Sequence, residues 1–249
     1  MSKFYISYKE YSIQNPSIEQ ANEIVEKAWG SSEIVSEGGG SIIDIGKYVA
    51  RELKIPHTAI PTTAGTGSEV TKYCVLNLDG RKTTFTDEVF IPTSYILNPM
   101  YLESLSKEQK LSSRLDALSQ CYESLWSIHA THESLSYANI GISLLENPKN
   151  DMDLMIGANM SGRAINIAKT NVCHAISYPL TDLYGIPHGF ACYLTLKYFA
   201  NKLGYVVPQF DIPDFDYEIG EVASIAIQNT KMEDFPEKVE IEDIIKSLS

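Results

Sequence analysis

Three residues of the 249-residue chain have side chains suited to binding a divalent cation: Asp116, His174 and His188. The two histidines are fourteen residues apart in the stretch NVCHAISYPLTDLYGIPHGFA, and Asp116 precedes them on a predicted helix. One carboxylate and two imidazoles are a ligand set with which catalytic sites hold a cation and leave one position open for substrate. Each residue alone is weak evidence, because a single helical Asp is usually solvated and a single buried His usually belongs to the core.

Other polar residues lie close to this set or compete with it. Gln120 is four residues after Asp116 and shares its helix face, and Glu123 follows within one further turn. His129 and His132, in SIHATHES, form a rival pair that we interpret as loop or helix-cap residues.

Two glycine-bearing stretches, EGGGS and PTTAGTGSE, each follow a predicted strand. Glycines at the start of a helix let backbone N–H groups approach a phosphate, although EGGGS alone is equally well explained as a tight turn. A second loop at the same sheet edge favours a dinucleotide. Asp44 is either a hydrogen-bond acceptor for the cofactor or a solvated first-turn carboxylate. The candidate cofactor-binding residues are Gly38, Gly39, Gly40, Ser41, Asp44, Thr62, Thr63, Gly65, Thr66 and Ser68.

The elements that must position these residues differ between the two parts of the chain. Up to about residue 100 strands alternate with helices, which predicts a parallel, helix-covered sheet. A hairpin is predicted around Asp79-Gly80, and the first helix is expected to be capped by Ser17 or Asn15. From Lys107 onward the periodicity is helical. We therefore predict a partial dinucleotide-binding α/β domain over 1–103, a helical metal-binding domain over 104–203 and an acidic, divergent C-terminal segment over 204–249.

The composition argues against two classes of partner, nucleic acids and membranes. The formal net charge is −12, and residues 209–249 alone contain eleven Asp or Glu against three Lys. An acidic chain argues against a nucleic-acid partner. The four cysteines have no CxxC spacing, the N-terminus has no apolar signal region, and no run of eighteen apolar residues occurs, so we expect a cytoplasmic protein with reduced thiols and no membrane partner.

Four stretches occur in order along the chain: GGGSIIDIGK, IPTTAGTGSEVT, LDALSQCYES and HAISYPLTDLYGIPHG. In sequence and spacing they resemble motifs of the iron-containing (group III) alcohol dehydrogenases, which are related to glycerol dehydrogenase and dehydroquinate synthase. The resemblance implies a dehydroquinate synthase-like fold, in which a nucleotide-binding α/β domain precedes an all-α metal-binding domain.

The resemblance also implies roles for individual residues. The Gly38 to Ser41 loop would bind the pyrophosphate of NAD or NADP, and Asp116, His174 and His188 would bind Fe²⁺ or Zn²⁺. Gln120 stands where the family usually has His, so its amide oxygen would be a weaker fourth ligand. Tyr178 stands where many members have a second His, and it could donate a proton itself.

The function implied is interconversion of an alcohol and an aldehyde or ketone by hydride transfer. The last motif most resembles the phosphonoacetaldehyde reductase and octulosonate 8-oxidase branch of the family. Anionic substrates of this kind would require cations in the cleft, and the candidates are Arg163, Lys169 and Lys197. The chain is expected to lack family segments at both ends, and an exposed sheet edge would favour a homo-oligomer such as a dimer. The alternatives are an inactive or split remnant that needs a partner chain, and a dehydroquinate synthase-like lyase.

Overall fold

The computed structural model describes residues 2–11 and 16–249, and within them it has six strands and ten α-helices. The strands are β1 (Lys3–Ser7), β2 (Glu33–Gly38), β3 (His57–Pro61), β4 (Tyr73–Leu78), β5 (Arg81–Thr86) and β6 (Ser94–Tyr95). The helices are α1 (Ile18–Lys27), α2 (Gly40–Leu53), α3 (Met100–Glu103), α4 (Lys107–Trp126), α5 (His132–Glu146), α6 (Asp151–Ala168), α7 (Val172–Tyr184), α8 (His188–Lys202), α9 (Ile219–Ala226) and α10 (Ile241–Leu248).

The N-terminal half is built on a parallel sheet, as predicted. Its strand order is β1-β2-β3-β6, and each neighbouring pair is parallel. Ser17 caps α1 through a capping box with Gln20, whereas Asn15 lies outside the described residues. Helix α2 covers the sheet with a buried apolar face that includes Ile42, Ile45 and Val49. The predicted α/β architecture is therefore confirmed.

A two-stranded hairpin, β4–β5, lies between β3 and β6 along the chain. Its turn is Asp79-Gly80, and both residues have positive φ, 52° and 77°. A two-residue hairpin turn of this kind requires positive φ at both central positions, which Asp and Gly tolerate better than other residues. The hairpin predicted at this dipeptide is confirmed.

The C-terminal half is helical, and its core surrounds the twenty-residue helix α4. Helix α4 packs against α5, α6 and α8, so its middle is enclosed on several sides. Trp126 at its end is 5% exposed and packs against Tyr205 and Phe235, whereas Trp29 in the other half is 80% exposed. None of the helices in the described residues combines the length and apolar character needed to cross a bilayer.

Residues 204–249 join this helical core. Val222, Ala223, Phe235 and Ile244 are buried in the same apolar cluster as the residues of α4. Many of the acidic residues of the segment remain at the surface, and Asp243 pairs with Lys202 at 2.9 Å. The concentration of negative charge in this segment is thus compatible with docking through an apolar face.

Candidate functional site

The structure brings Asp116, His174 and His188 together from helices α4, α7 and α8. His174 Nε2 lies 3.3 Å from Asp116 Oδ1, and His188 Nε2 lies 3.8 Å from the same oxygen. Cys192, one turn after His188, contributes a fourth donor atom, and all four atoms lie within 4.8 Å of one another. Sequence analysis did not identify Cys192, although its spacing of four from His188 places both on one helix face.

Gly189 allows α8 to begin against α4. A Cβ atom at Gly189 would lie 1.7 Å from the backbone oxygen of Ser112 and 3.0 Å from the backbone nitrogen of Asp116. Only a residue without a side chain fits at this crossing. The Gly of the PHG motif therefore places His188 beside Asp116, a role that the sequence analysis missed.

Glu123 orients the ring of His174. Its Oε1 accepts hydrogen bonds from the backbone N–H groups of Cys173, at 2.7 Å, and His174, at 3.2 Å. Its Oε2 pairs with Nδ1 of His174. A partner on one ring nitrogen fixes which nitrogen faces the site. The carboxylate thus turns Nε2 of His174 towards Asp116.

The donor set fits a divalent cation. His174 is 4% exposed, and its Nε2 is buried without a hydrogen-bond partner. Buried polar atoms are nearly always satisfied, so such an atom requires an explanation. Nitrogen, oxygen and sulfur donors surround it at short range, which is the chemistry that Zn²⁺ and Fe²⁺ take from proteins.

Charge interactions shift the pKa values of this cluster. Burial alone would raise the pKa of Asp116, but the nearby rings of His174 and His188 lower it below the ordinary value. Burial would lower the pKa of His174, but the charges of Cys192 and Glu123 raise it well above the ordinary value. Burial would also raise the pKa of Cys192, yet the two histidines lower it to about 7. In the absence of a cation these shifts favour an ionised Asp116 carboxylate and a protonated His174, whose proton a bound cation would displace.

Gln120 lies beside Asp116 but is engaged in other bonds. Its Nε2 donates to Asp116 Oδ1 at 3.1 Å, and its Oε1 accepts from Ser161 Oγ at 2.8 Å. Tyr178 follows His174 by one turn, and its ring stacks on that of His188 with centroids 6.3 Å apart and planes 7° apart. Both residues thus adjoin the cluster from α4 and α7.

The rival histidines lie elsewhere. His129 Nε2 pairs with Asp234 at 2.7 Å and with Lys169 Nζ at 3.1 Å. His132 is the exposed first residue of α5. We interpreted the pair as loop or helix-cap residues; His129 precedes α5, and the residue that caps α5 is Thr131 and not His132.

The two glycine loops meet at the carboxyl ends of β2 and β3. Gly38 accepts a hydrogen bond from the backbone of Thr62 at 3.0 Å, and a Cβ at Gly40 would lie 2.9 Å from Thr66 Cγ2. Helix α2 begins at Gly40 after the N-cap Gly39, with no side-chain cap, so its first N–H groups are available to a phosphate. Ser41 lies in that first turn, and Thr63 faces Gly39.

The second loop also reaches the helical half. A Cβ at Gly65 would lie 3.1 Å from the backbone oxygen of Ser113 on α4, one turn before Asp116. Gly67 has φ of +61°, and a Cβ there would lie 2.5 Å from Cα of Gly162 on α6. These contacts place the candidate nucleotide loops next to the candidate metal-binding cluster.

Asp44 bonds within the protein. Its Oδ1 accepts from Ser68 Oγ at 2.6 Å and its Oδ2 from the backbone N–H of Val75 at 3.0 Å, while Lys47 Nζ lies 3.4 Å from Oδ1. Lys47 is almost fully buried, and burial lowers its pKa although Asp44 opposes this. Asp44 therefore links α2 to the second loop and to the hairpin, which neither sequence interpretation included.

The cations expected for an anionic substrate occupy three separate places. Arg163 lines a cavity of about 610 Å³ together with Glu69 and Tyr95, and it donates to Tyr95 Oη at 2.9 Å. Lys169 lies beside His129, and Lys197 donates to Gln209 at 3.0 Å.

Comparison with known proteins gives consistent matches. The model of the iron-containing alcohol dehydrogenase family matches residues 3–99, and that of the C-terminal part of the Fe-containing alcohol dehydrogenase family matches residues 110–209. A phosphonoacetaldehyde reductase from Streptomyces viridochromogenes is 37% identical over an alignment of 169 residues, and the match covers 63% of this chain and 42% of the relative. A 4-hydroxybutyrate dehydrogenase from Clostridium kluyveri is 30% identical over 220 residues, covering 75% of this chain and 59% of the relative.

The fold of the chain is also similar to the folds of solved structures. A sulfoacetaldehyde reductase from Bifidobacterium kashiwanohense, in complex with NAD⁺, has a TM-score of 0.82 at 24% identity, covering 95% of this chain and 81% of the other. The chain spans about half the length of the curated relatives that it matches.

Proposed function

The chain belongs to the iron-containing alcohol dehydrogenase family, and from that premise we propose that it is a metal-dependent, NAD(P)-linked oxidoreductase. It interconverts an alcohol and an aldehyde or ketone by hydride transfer. The observation that carries this proposal is the buried, unpartnered Nε2 of His174, held among Asp116, His188 and Cys192 beside two glycine loops.

A small set of residues and two loops would carry this reaction. A bound Fe²⁺ or Zn²⁺ supplies Lewis-acid polarisation of the substrate oxygen, and NAD or NADP supplies or accepts the hydride. Asp116, His174 and His188 hold the cation, and Glu123 holds the ring of His174. The N–H groups at the start of α2, with the Thr62 to Ser68 loop, bind the cofactor phosphates.

Tyr178 is the candidate proton donor. Its ring lies parallel to that of His188, one helical turn after His174. A phenolic hydroxyl next to the reacting oxygen can deliver the proton that carbonyl reduction requires.

The substrate is a small aldehyde, ketone or alcohol that carries an acid group. The phosphonoacetaldehyde, 4-hydroxybutyrate and sulfoacetaldehyde enzymes are all named for anionic compounds, which supports this class. The similar structure that contains NAD⁺ supports NAD ahead of NADP. The lyase alternative is not favoured, because the similar proteins are named as reductases and dehydrogenases.

We also propose a cytoplasmic location and a homodimer for this protein. All four cysteines are unpaired and buried, which supports a cytoplasmic location. Strand β1 pairs with β2 and forms one end of the described sheet, which supports association through that edge into a homodimer. Light scattering over a concentration series tests the dimer, and a monomer at all concentrations would contradict it.

The test of function uses the purified chain loaded with Fe²⁺ or Zn²⁺. We expect oxidation of NADH or NADPH with phosphonoacetaldehyde, sulfoacetaldehyde or succinic semialdehyde, and no activity in Asp116→Asn. Calorimetry measures cofactor binding separately. Metal-loaded protein that binds neither cofactor and reduces none of these aldehydes would overturn the proposal.

A further inference from the structure

Cys192 occupies a position from which its sulfur can bind the same cation as the two histidines. It is fully buried on α8, one turn after His188, and its Sγ lies 3.9 Å from His188 Nε2. The sulfur belongs to the group of four donor atoms that all lie within 4.8 Å of one another. Its side chain therefore points into the cluster and not into the surrounding apolar core.

The spacing of the four donors is close to that of a tetrahedral site. Metal–nitrogen distances of about 2.0 Å and a metal–sulfur distance of about 2.3 Å require donor atoms to be about 3.3–3.6 Å apart. The pairs that involve Asp116 Oδ1 are 3.3 Å and 3.8 Å apart, and the pair of Cys192 and His188 is 3.9 Å apart. Small side-chain rotations are enough to close these distances around one ion.

Gln120 is less suited to the fourth position. In the structure its N–H donor faces Asp116 Oδ1, and its oxygen faces Ser161. An amide N–H group cannot bind a cation, and the opposite orientation would place the amide oxygen about 3.1 Å from a carboxylate oxygen, where the two repel without an intervening ion. The hydrogen bond instead fixes the carboxylate of Asp116.

We propose that Cys192 is the fourth protein ligand of the cation, which makes the site Asp/His/His/Cys, and that Gln120 is a positioning residue for Asp116. The substrate oxygen would then bind as a fifth ligand. This inference rests on the proposed function only in that both require a cation at the cluster. A thiolate makes the site softer than one of oxygen and nitrogen alone, so it selects Zn²⁺, Co²⁺ or Fe²⁺ over Mg²⁺ and Mn²⁺.

The test uses Co²⁺ as a spectroscopic probe on the full chain after removal of metal with a chelator. Cobalt bound to a thiolate gives an intense near-ultraviolet charge-transfer band, which oxygen and nitrogen ligands do not give. We expect this band in the wild-type protein and its loss in Cys192→Ala. The Co²⁺ affinity of Cys192→Ala should fall by more than the roughly 10–100-fold that is typical of losing an outer-sphere partner.

Two matched controls separate the possible ligands. A triple variant, Cys74→Ala with Cys121→Ala and Cys173→Ala, leaves Cys192 as the only thiol and should keep the band. Gln120→Ala should also keep it at full intensity once saturated, because this change removes a positioning contact and no ligand. If Cys192→Ala does not fold by circular dichroism, the band of the triple variant decides the question.

Three results would overturn the inference: wild-type protein that binds no Co²⁺, saturated protein without the band, or a folded Cys192→Ala that keeps it. Hydride transfer is measured separately on the Zn²⁺-loaded chain. A protein that shows the thiolate band but reduces no aldehyde supports the ligand inference and contradicts the proposed function. Activity without the band contradicts the ligand inference alone.

Discussion

The two halves of the molecule contribute to the candidate site in different ways. The α/β half offers mainly backbone groups from two loops that end neighbouring strands, Gly38–Ser41 and Thr62–Ser68. The helical half offers side-chain atoms from three helices, and residues 116 and 192 at its extremes are 76 positions apart in sequence (192 − 116). Loss of space at a glycine should therefore disturb the site in either half, and the helical half depends in addition on buried polar partners.

Two buried histidines, one in each half, show what this difference means chemically. His57 and His174 are each 4% exposed. Burial lowers the pKa of His57 to about 3, because its near partner is the neutral Ser36 hydroxyl and Lys47 adds positive charge. The pKa of His174 is raised despite burial, since Cys192, Glu123 and Asp116 surround it. Neighbouring charge, and not burial alone, sets the pKa of a candidate ligand histidine apart from that of a core histidine.

Gly189→Ala is expected to have the largest effect on stability and on metal binding. The new Cβ would overlap the backbone of Ser112, so α8 must move away from α4. Overpacking of this kind costs about 1–3 kcal/mol or more. Thermal melting should show a lower Tm, and calorimetry should show loss of Zn²⁺ binding.

Gly220→Ala is the matched control, because a Cβ at this position in α9 has no heavy atom within 4 Å. Its Tm and Zn²⁺ affinity should equal or exceed those of the wild type. Wild-type behaviour in Gly189→Ala would mean that the helix crossing does not set the position of His188.

Glu123→Gln should weaken the metal site while preserving the fold. The neutral amide cannot hold the ring of His174 as the carboxylate does, and loss of such a partner typically costs about 10–100-fold in metal affinity. Competition with a Zn²⁺ chelator measures this change. Glu108→Gln, at the exposed start of the same helix, should leave the affinity unchanged. Equal affinities in both variants would contradict the positioning role.

Gly40→Ala should weaken cofactor binding and spare the metal site. The added Cβ would lie 2.9 Å from Thr66, which pushes the two loops apart. We expect NADH affinity to fall about tenfold, corresponding to about 1.4 kcal/mol within the usual range for overpacking. Zn²⁺ affinity, measured on the same preparation, is the internal control. A parallel loss of both affinities would show that the halves do not act separately.

The smallest effect concerns His57 and pH. Its pKa of about 3 in the folded protein lies below the ordinary 6.5, so acid protonates the unfolded chain first. Its contribution to stability is complete above pH 6.5 and declines as the pH falls towards 3. The change corresponds to roughly 0.7 kcal/mol between pH 7 and pH 6. Urea unfolding at the two pH values should show a smaller loss in His57→Gln, and identical losses would contradict this account.

Local signals in the sequence predicted much of the fold. The alternation of strands and helices, the Asp79-Gly80 turn and the glycines after β2 and β3 are all features of neighbouring residues. The ligand candidates Asp116, His174 and His188 were identified from residue types and motif resemblance, and the structure places them together.

What the sequence did not predict depends on contacts between distant elements. Cys192 was indistinguishable from a core cysteine until α8 was placed against α4. The role of Gly189 requires the position of Ser112, and the internal bonds of Asp44 require the positions of Ser68 and Val75. No residue within LDALSQCYES indicates that the amide oxygen of Gln120 accepts a hydrogen bond from Ser161.

The placement of the two tryptophans makes the halves optically distinguishable. Trp126 is enclosed by aromatic rings of the helical core, whereas Trp29 is already in contact with solvent. Selectively excited tryptophan fluorescence therefore reports on denaturation almost entirely in the helical half, and circular dichroism reports on both halves. Coincident transitions by the two methods would identify one cooperative unit, and separate transitions would give the melting order of the halves without any label.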